Sequence, residues 1–108
     1  METKTAVTAL AALAQETRLS TFRLLIAAGE SGLPAGELAA RLNVPPATLS
    51  FHLKELAHAG LVTSRSEGRF VIYAADYAAM TALLAFLSEE CCGGHPERCL
   101  PGGACSSS

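Results

Sequence analysis

AARLNVPPATLSFHLKELAHAGLVTSRSEGRFVIYAA, residues 39–75 of a 108-residue chain, changes its periodicity partway along. Its first residues complete a short helix from Ala35 to Leu42, which Pro34 suits as an opening and Asn43, in a left-handed conformation, can stop. After Asn43-Val44 alone, Pro45 and Pro46 open another helix running to about Ala59. Its apolar positions Leu49, Leu53, Leu56 and Ala57 follow the i, i+4, i+7, i+8 spacing of a buried face, and Gly60 closes it. The pattern then switches to alternation. LVTSRS and RFVIYA read as two short strands joined at Glu67-Gly68. Helix, tight turn, helix and hairpin make the layout of a winged helix-turn-helix, whose second helix enters the DNA major groove with the hairpin tip beside it.

Working outward, residues 5–15 set Ala6, Val7, Leu10, Leu13 and Ala14 on one helical stripe. Thr17 can cap a helix to about Ala28 with Leu19, Phe22, Leu25 and Ile26 inward, ended by Gly29. Downstream, Asp76 can cap a last helix to about Glu90. It carries Tyr77, Met80, Leu83, Leu84 and Leu87 on one side and Phe86 on another. The fold class is therefore mainly α with a β-hairpin. Residues 1–92 form one domain, and residues 93–108 form a Gly/Pro/Ser/Cys-rich tail. A domain this small buries a modest share of its surface, so a second copy would add stability.

The net charge of −2 does not announce a nucleic-acid binder, but the charge is unevenly spread. From Arg18 to Arg69 six bases face four acids, whereas the rest of the chain holds two bases and six acids. A mildly basic centre between acidic ends suits DNA. The opening METKTAVTALAALAQE is short for a secretory signal, and its apolar part is mostly alanine and threonine. No run reaches the ~18 apolar residues of a membrane span. A cytoplasmic location follows as the expectation, with no membrane partner and with thiols kept reduced. No nucleophile–base pair or phosphate loop suggests an enzyme.

Residues 39–75 resemble the signature region of the ArsR/SmtB family of metal-sensing repressors. The matching elements are Thr48-Leu49-Ser50, His52-Leu53-Lys54, Leu56, Ala59-Gly60-Leu61-Val62, Arg65, Glu67-Gly68-Arg69 and Tyr73. The upstream LAQETRLSTFRLL is similar to the family's second-helix motif, and the resemblance covers roughly residues 8–88. It implies a homodimeric winged helix-turn-helix repressor on a palindromic operator of double-stranded DNA. Dimerisation through the first and last helices would use Leu10, Leu13, Leu83, Leu84 and Leu87.

On the recognition helix, Ala47, Thr48, Ser50 and Phe51 lie on the outer face near its start. Thr48 and Ser50 can bond base edges or phosphates, and Phe51 or Ala47 can meet a thymine methyl. Phe51 can equally pack on the chain, and His52 reads either as a DNA contact or as a core-edge histidine. Lys54 belongs to the matching motif. Arg65 and Arg69 flank the expected hairpin tip, where arginines suit phosphates or the minor groove. Proline at the helix start forgoes a side-chain cap worth ~1 kcal/mol.

All four cysteines fall in ECCGGHPERCLPGGAC, residues 90–105. The third helix, PAGELAARL, has no thiol, and the last helix offers Asp76, Glu89 and Glu90 but no histidine, so two known metal-site arrangements of the family are absent or incomplete. Thiolate-rich sites favour soft centres. Trivalent arsenic takes three sulfurs in a pyramid, and Cys91, Cys92 and one downstream cysteine supply them if the helix ends at Gly93-Gly94. This resembles the arsenic-responsive subgroup with a Cys-Cys pair and a third cysteine after the last helix, and on that resemblance the expected ligands are Cys91, Cys92 and Cys99, with Cys105 as substitute or spectator. The expected effector is arsenite, with antimonite an alternative; the fourth thiol keeps four-sulfur zinc or cadmium in play, ranked lower because vicinal cysteines are unusual in tetrahedral zinc sites. His95 and Glu97 could serve zinc. Three rivals stay open: a zinc- or cadmium-responsive repressor, a thiol redox sensor, and an arsenical-binding protein with no DNA partner.

Overall fold

The computed structural model describes residues 1–89. Its elements run α1 (Thr3–Leu13), α2 (Glu16–Ala28), β1 (Leu33–Pro34), α3 (Ala35–Leu42), α4 (Pro46–His58), β2 (Val62–Glu67), β3 (Phe70–Ala75) and α5 (Tyr77–Leu87). It is a winged helix-turn-helix, with five helices and a three-stranded antiparallel sheet in the order β1-β3-β2.

The turn between α3 and α4 forms as its residues dictate. Asn43 sits at φ 54°, ψ 48° and its amide reaches back to Ala39 and Ala40. Pro45, fixed at φ −57°, stands at the start of α4, which no side chain caps. The core is built from one face of each helix. Leu25, Leu38, Leu49, Leu53, Leu56 and Leu61 are all buried, with Phe22 and Leu83 packed among them. Ala6 and Ala9 are the buried positions of α1, so α1 lies close on its neighbours through small side chains.

Several expectations change. Thr17 does not cap α2; Gln15 does, accepting from the Arg18 amide. Leu19 is exposed, and Thr21 takes a buried place with its hydroxyl donating to the Thr17 carbonyl. Pro34 belongs to β1, a strand that residues 39–75 could not reveal, because it exists only by pairing Leu33 with Tyr73 and Pro34 with Ile72. Its approach needs Gly32: at φ 71°, a Cβ there would run into the Tyr73 carbonyl oxygen. The hairpin turn is Gly68-Arg69, one residue later than expected, with Glu67 opposite Phe70 and Gly68 at φ 62°. β2 is an edge strand, polar and exposed from Thr63 onward.

α5 ends at Leu87, and its start is held twice. Asp76 Oδ1 accepts from the Ala79 amide at 3.0 Å, and the Tyr77 hydroxyl donates to the Ile26 carbonyl at 2.7 Å. Its faces also differ from the expected division: Phe86 packs toward the core while Leu84 and Leu87 point outward. No described helix is long and apolar enough to cross a membrane.

Candidate DNA-binding surface and effector site

α4 turns Leu49, Leu53 and Leu56 into the core, which leaves Ala47, Thr48, Ser50, Phe51 and Lys54 exposed on its outer side. Phe51 is 56 % exposed, and its ring meets that of His52 edge-on with centroids 5.4 Å apart. His52 itself is only 8 % exposed. Of the two sequence readings for this histidine, the structure places it at the core edge, with Arg18 Nη1 3.4 Å from its Nδ1. Its spacing from Leu49, Leu53 and Leu56 on the buried stripe was the signal for that placement.

The two wing arginines separate in role. Arg65 on β2 reaches across β3: its Nη2 donates to the Ser31 carbonyl at 2.7 Å while Nε pairs with Glu67 at 2.5 Å. That side chain is spent on strapping the wing to the segment before β1. Arg69 occupies the turn itself, exposed and in no ion pair among the described residues. Phe70 and Val71 are exposed beside it. Sequence reasoning did not single them out, although apolar residues at the tip of a two-stranded hairpin have no core above them.

The dimer candidates divide as well. Leu10, Leu84 and Leu87 are exposed, the last two at 55 % each, and Leu13 is half-buried. Leu83, 5 % exposed, belongs to the protomer's own core and has little surface to offer a partner. α1 and α5 pack together, and an apolar groove of about 430 Å³ runs beside them, lined by Leu13, Leu19, Phe22, Ile26, Met80 and Leu84.

Cys91, Cys92, Cys99 and Cys105 lie outside the described residues, as do Glu90, His95 and Glu97. Among the described residues, no three His, Cys, Asp or Glu side chains gather as a metal-ion site. Asp76 is committed to capping α5.

A helix-turn-helix domain family model matches residues 13–65. The chain is 34 % identical over 87 residues to the transcriptional activator HlyU of Vibrio cholerae, covering 81 % of this chain and 78 % of that protein. It is 42 % identical over 64 residues to a Halobacterium salinarum protein provisionally named arsenical resistance operon repressor ArsR, covering 59 % of this chain and 49 % of that one. Among solved structures, an ArsR-like transcriptional regulator from Rhodococcus sp. RHA1 superposes with a TM-score of 0.71 at 30 % identity, over 88 % of this chain and 85 % of that chain. A homodimeric winged helix-turn-helix DNA-binding domain from Mycobacterium bovis gives 0.63 at 26 % identity, over 85 % of each. Relatives and fold alike are those of DNA-binding transcriptional regulators, not of enzymes.

Proposed function

The chain belongs to the ArsR/SmtB family of transcriptional regulators, and on that premise we propose that it is an arsenite-responsive repressor of an arsenic-resistance operon. A homodimer, joined through α1 and α5 by Leu10, Leu13, Leu84 and Leu87, holds a palindromic operator in the cytoplasm. Ala47, Thr48, Ser50, Phe51 and Lys54 of α4 face the major groove, and Arg69 meets a phosphate or the minor groove. Arsenite, or antimonite, bound by Cys91, Cys92 and Cys99 releases the DNA.

The observation that carries this reading is the place of the thiols. Cys91 stands four positions after Leu87, the last residue of α5, so a ligand drawing Cys91 and Cys92 together acts on the helix that carries the exposed leucines. The name of the Halobacterium relative supports the choice of a metalloid over other effectors. A bias of ~1–3 kcal/mol between two dimer conformations would change operator affinity roughly 5- to 150-fold.

An operator recovered by binding-site selection from a random duplex library, titrated by fluorescence anisotropy with and without arsenite, tests this. Release by arsenite in the parent, and loss of that release in Cys91→Ser, Cys92→Ser and Cys99→Ser, is the expected result. Equal binding with and without arsenite ends the sensor reading. Release by hydrogen peroxide alone would assign the thiols to redox sensing, and release by zinc or cadmium alone to a tetrahedral site. One observation favours a second reading of the regulatory sign, since the Vibrio relative is named an activator. In vitro transcription from the selected operator decides it.

A further inference from the structure

LAQETRLSTFRLL, residues 13–25, carries an arginine to which neither the DNA surface, the dimer face nor the thiols give a task. Arg18 stands half-buried at the start of α2, where α1, α2 and α4 meet. Its amide donates to Gln15 Oε1 at 2.8 Å, which anchors its backbone in the cap of α2. Its Nε donates to the Ala12 carbonyl at 2.6 Å, in the last turn of α1. Its Nη1 lies 3.4 Å from Nδ1 of His52, buried on α4. One guanidinium thus touches the dimer helix and the recognition helix together. The cleft around it is also lined by Val7 and Ala11 of α1 and by Glu55 and His58 of α4. No carboxylate pairs with Arg18 among the described residues.

Each contact has a physical reason. Ala12 carries one of the carbonyls that a helix end leaves without an intrahelical partner, and a cation there also meets the negative end of the helix dipole. The guanidinium is planar, so fixing Nε on Ala12 fixes the direction of Nη1. Nη1 can only donate. The facing Nδ1 is then the acceptor nitrogen, and the ring proton belongs on Nε2. At 3.4 Å the contact is long for a hydrogen bond. Its weight comes from burial, since an imidazole nitrogen cut off from water needs its partner.

We propose that Arg18 is the positioning residue that sets the recognition helix against the dimer helix, with His52 as its receiver on α4. The proposal rests on the DNA-binding reading. In a two-fold dimer, the separation and tilt of the two α4 helices must match two half-sites. Packing through Leu49, Leu53 and Leu56 is non-directional and tolerates a small rotation of α4. A planar group held on both helices does not.

The test uses Arg18→Met, which keeps an apolar stem and loses every donor, with His52→Leu, which loses the acceptor, and His52→Asn, which keeps one near the Nδ1 position. Each is titrated on the selected operator and on an unrelated duplex over a range of salt, with dimerisation followed by sedimentation. Arg18→Met and His52→Leu should each weaken operator binding about tenfold. The double variant should bind no worse than the weaker single, His52→Asn should recover most of the affinity, and dimerisation and unrelated-duplex binding should stay at parent values. The salt slope should also hold, whereas an arginine on phosphate would lower it by about one per protomer. Unchanged operator affinity in Arg18→Met overturns the proposal, as does a loss shared by the unrelated duplex or a reduced slope. If Arg18→Met fails to fold, nitrogen NMR of His52 in the parent decides: a proton on Nε2 supports the assignment and one on Nδ1 overturns it. A parent that selects no DNA sequence would defeat the DNA-binding reading instead, and the NMR measurement would still judge the Arg18–His52 contact.

Discussion

Two glycines separated by four positions should answer the same substitution with opposite signs. Gly32, at φ 71°, lies against the Tyr73 carbonyl, so alanine there meets both a backbone penalty and a collision. Gly32→Ala should cost about 2 kcal/mol or more, read as a lower denaturation midpoint. Gly36 sits inside α3 with open space where a Cβ would go and no positive φ, so Gly36→Ala should gain about 0.5 kcal/mol. Arg69 makes a different test at this scale. It sits exposed in the wing turn, and Arg69→Ala should leave thermal stability unchanged while lowering the slope of log affinity against log salt by about one per protomer. Arg65→Ala should instead loosen the wing, because its guanidinium is bound to Ser31 and Glu67. Proteolysis of the hairpin would register that.

At the scale of elements, α5 depends on two polar anchors at its first turn. Asp76→Ala removes the bond to the Ala79 amide and should cost about 1 kcal/mol, while Asp76→Asn should be nearly neutral. Tyr77→Phe removes the tie to the end of α2 and should cost about 1 kcal/mol by denaturant titration. These same elements show what a sequence discloses. The bounds of α3 and α4 were legible because proline, asparagine and glycine mark them inside the chain itself. β1 was hidden, since two residues carry no period and its existence depends on Ile72 and Tyr73 nearly forty positions away. The inner and outer faces of α5 were misdivided for another reason. YAAMTALLAFL is apolar on every side, so periodicity could not tell Phe86, which packs inward, from Leu84 and Leu87. The outer face of α4 and the inward side of His52 were readable from the leucine spacing, but the partner of His52, an arginine from α2 thirty-four positions away, was not.

For the whole molecule, the proposed dimer face gives a test that separates assembly from folding, because Leu84 and Leu87 of α5 are exposed on the protomer. Leu84→Glu or Leu87→Glu should leave a folded monomer by sedimentation and weaken operator binding at least tenfold, since a half-site alone supports little affinity. Leu83→Glu, placed in the core, should unfold the protomer instead. The edge strand β2 bears on what happens once such dimers become abundant. A two-fold dimer presents two copies of the β2 edge, and strand-to-strand pairing at both would never close; it would grow into a fibre. Thr63, Ser64, Arg65, Ser66 and Glu67 line that edge with polar and charged groups, which disfavour the dry contact a growing fibre requires. The outer strand of the hairpin is thereby also a guard against such growth.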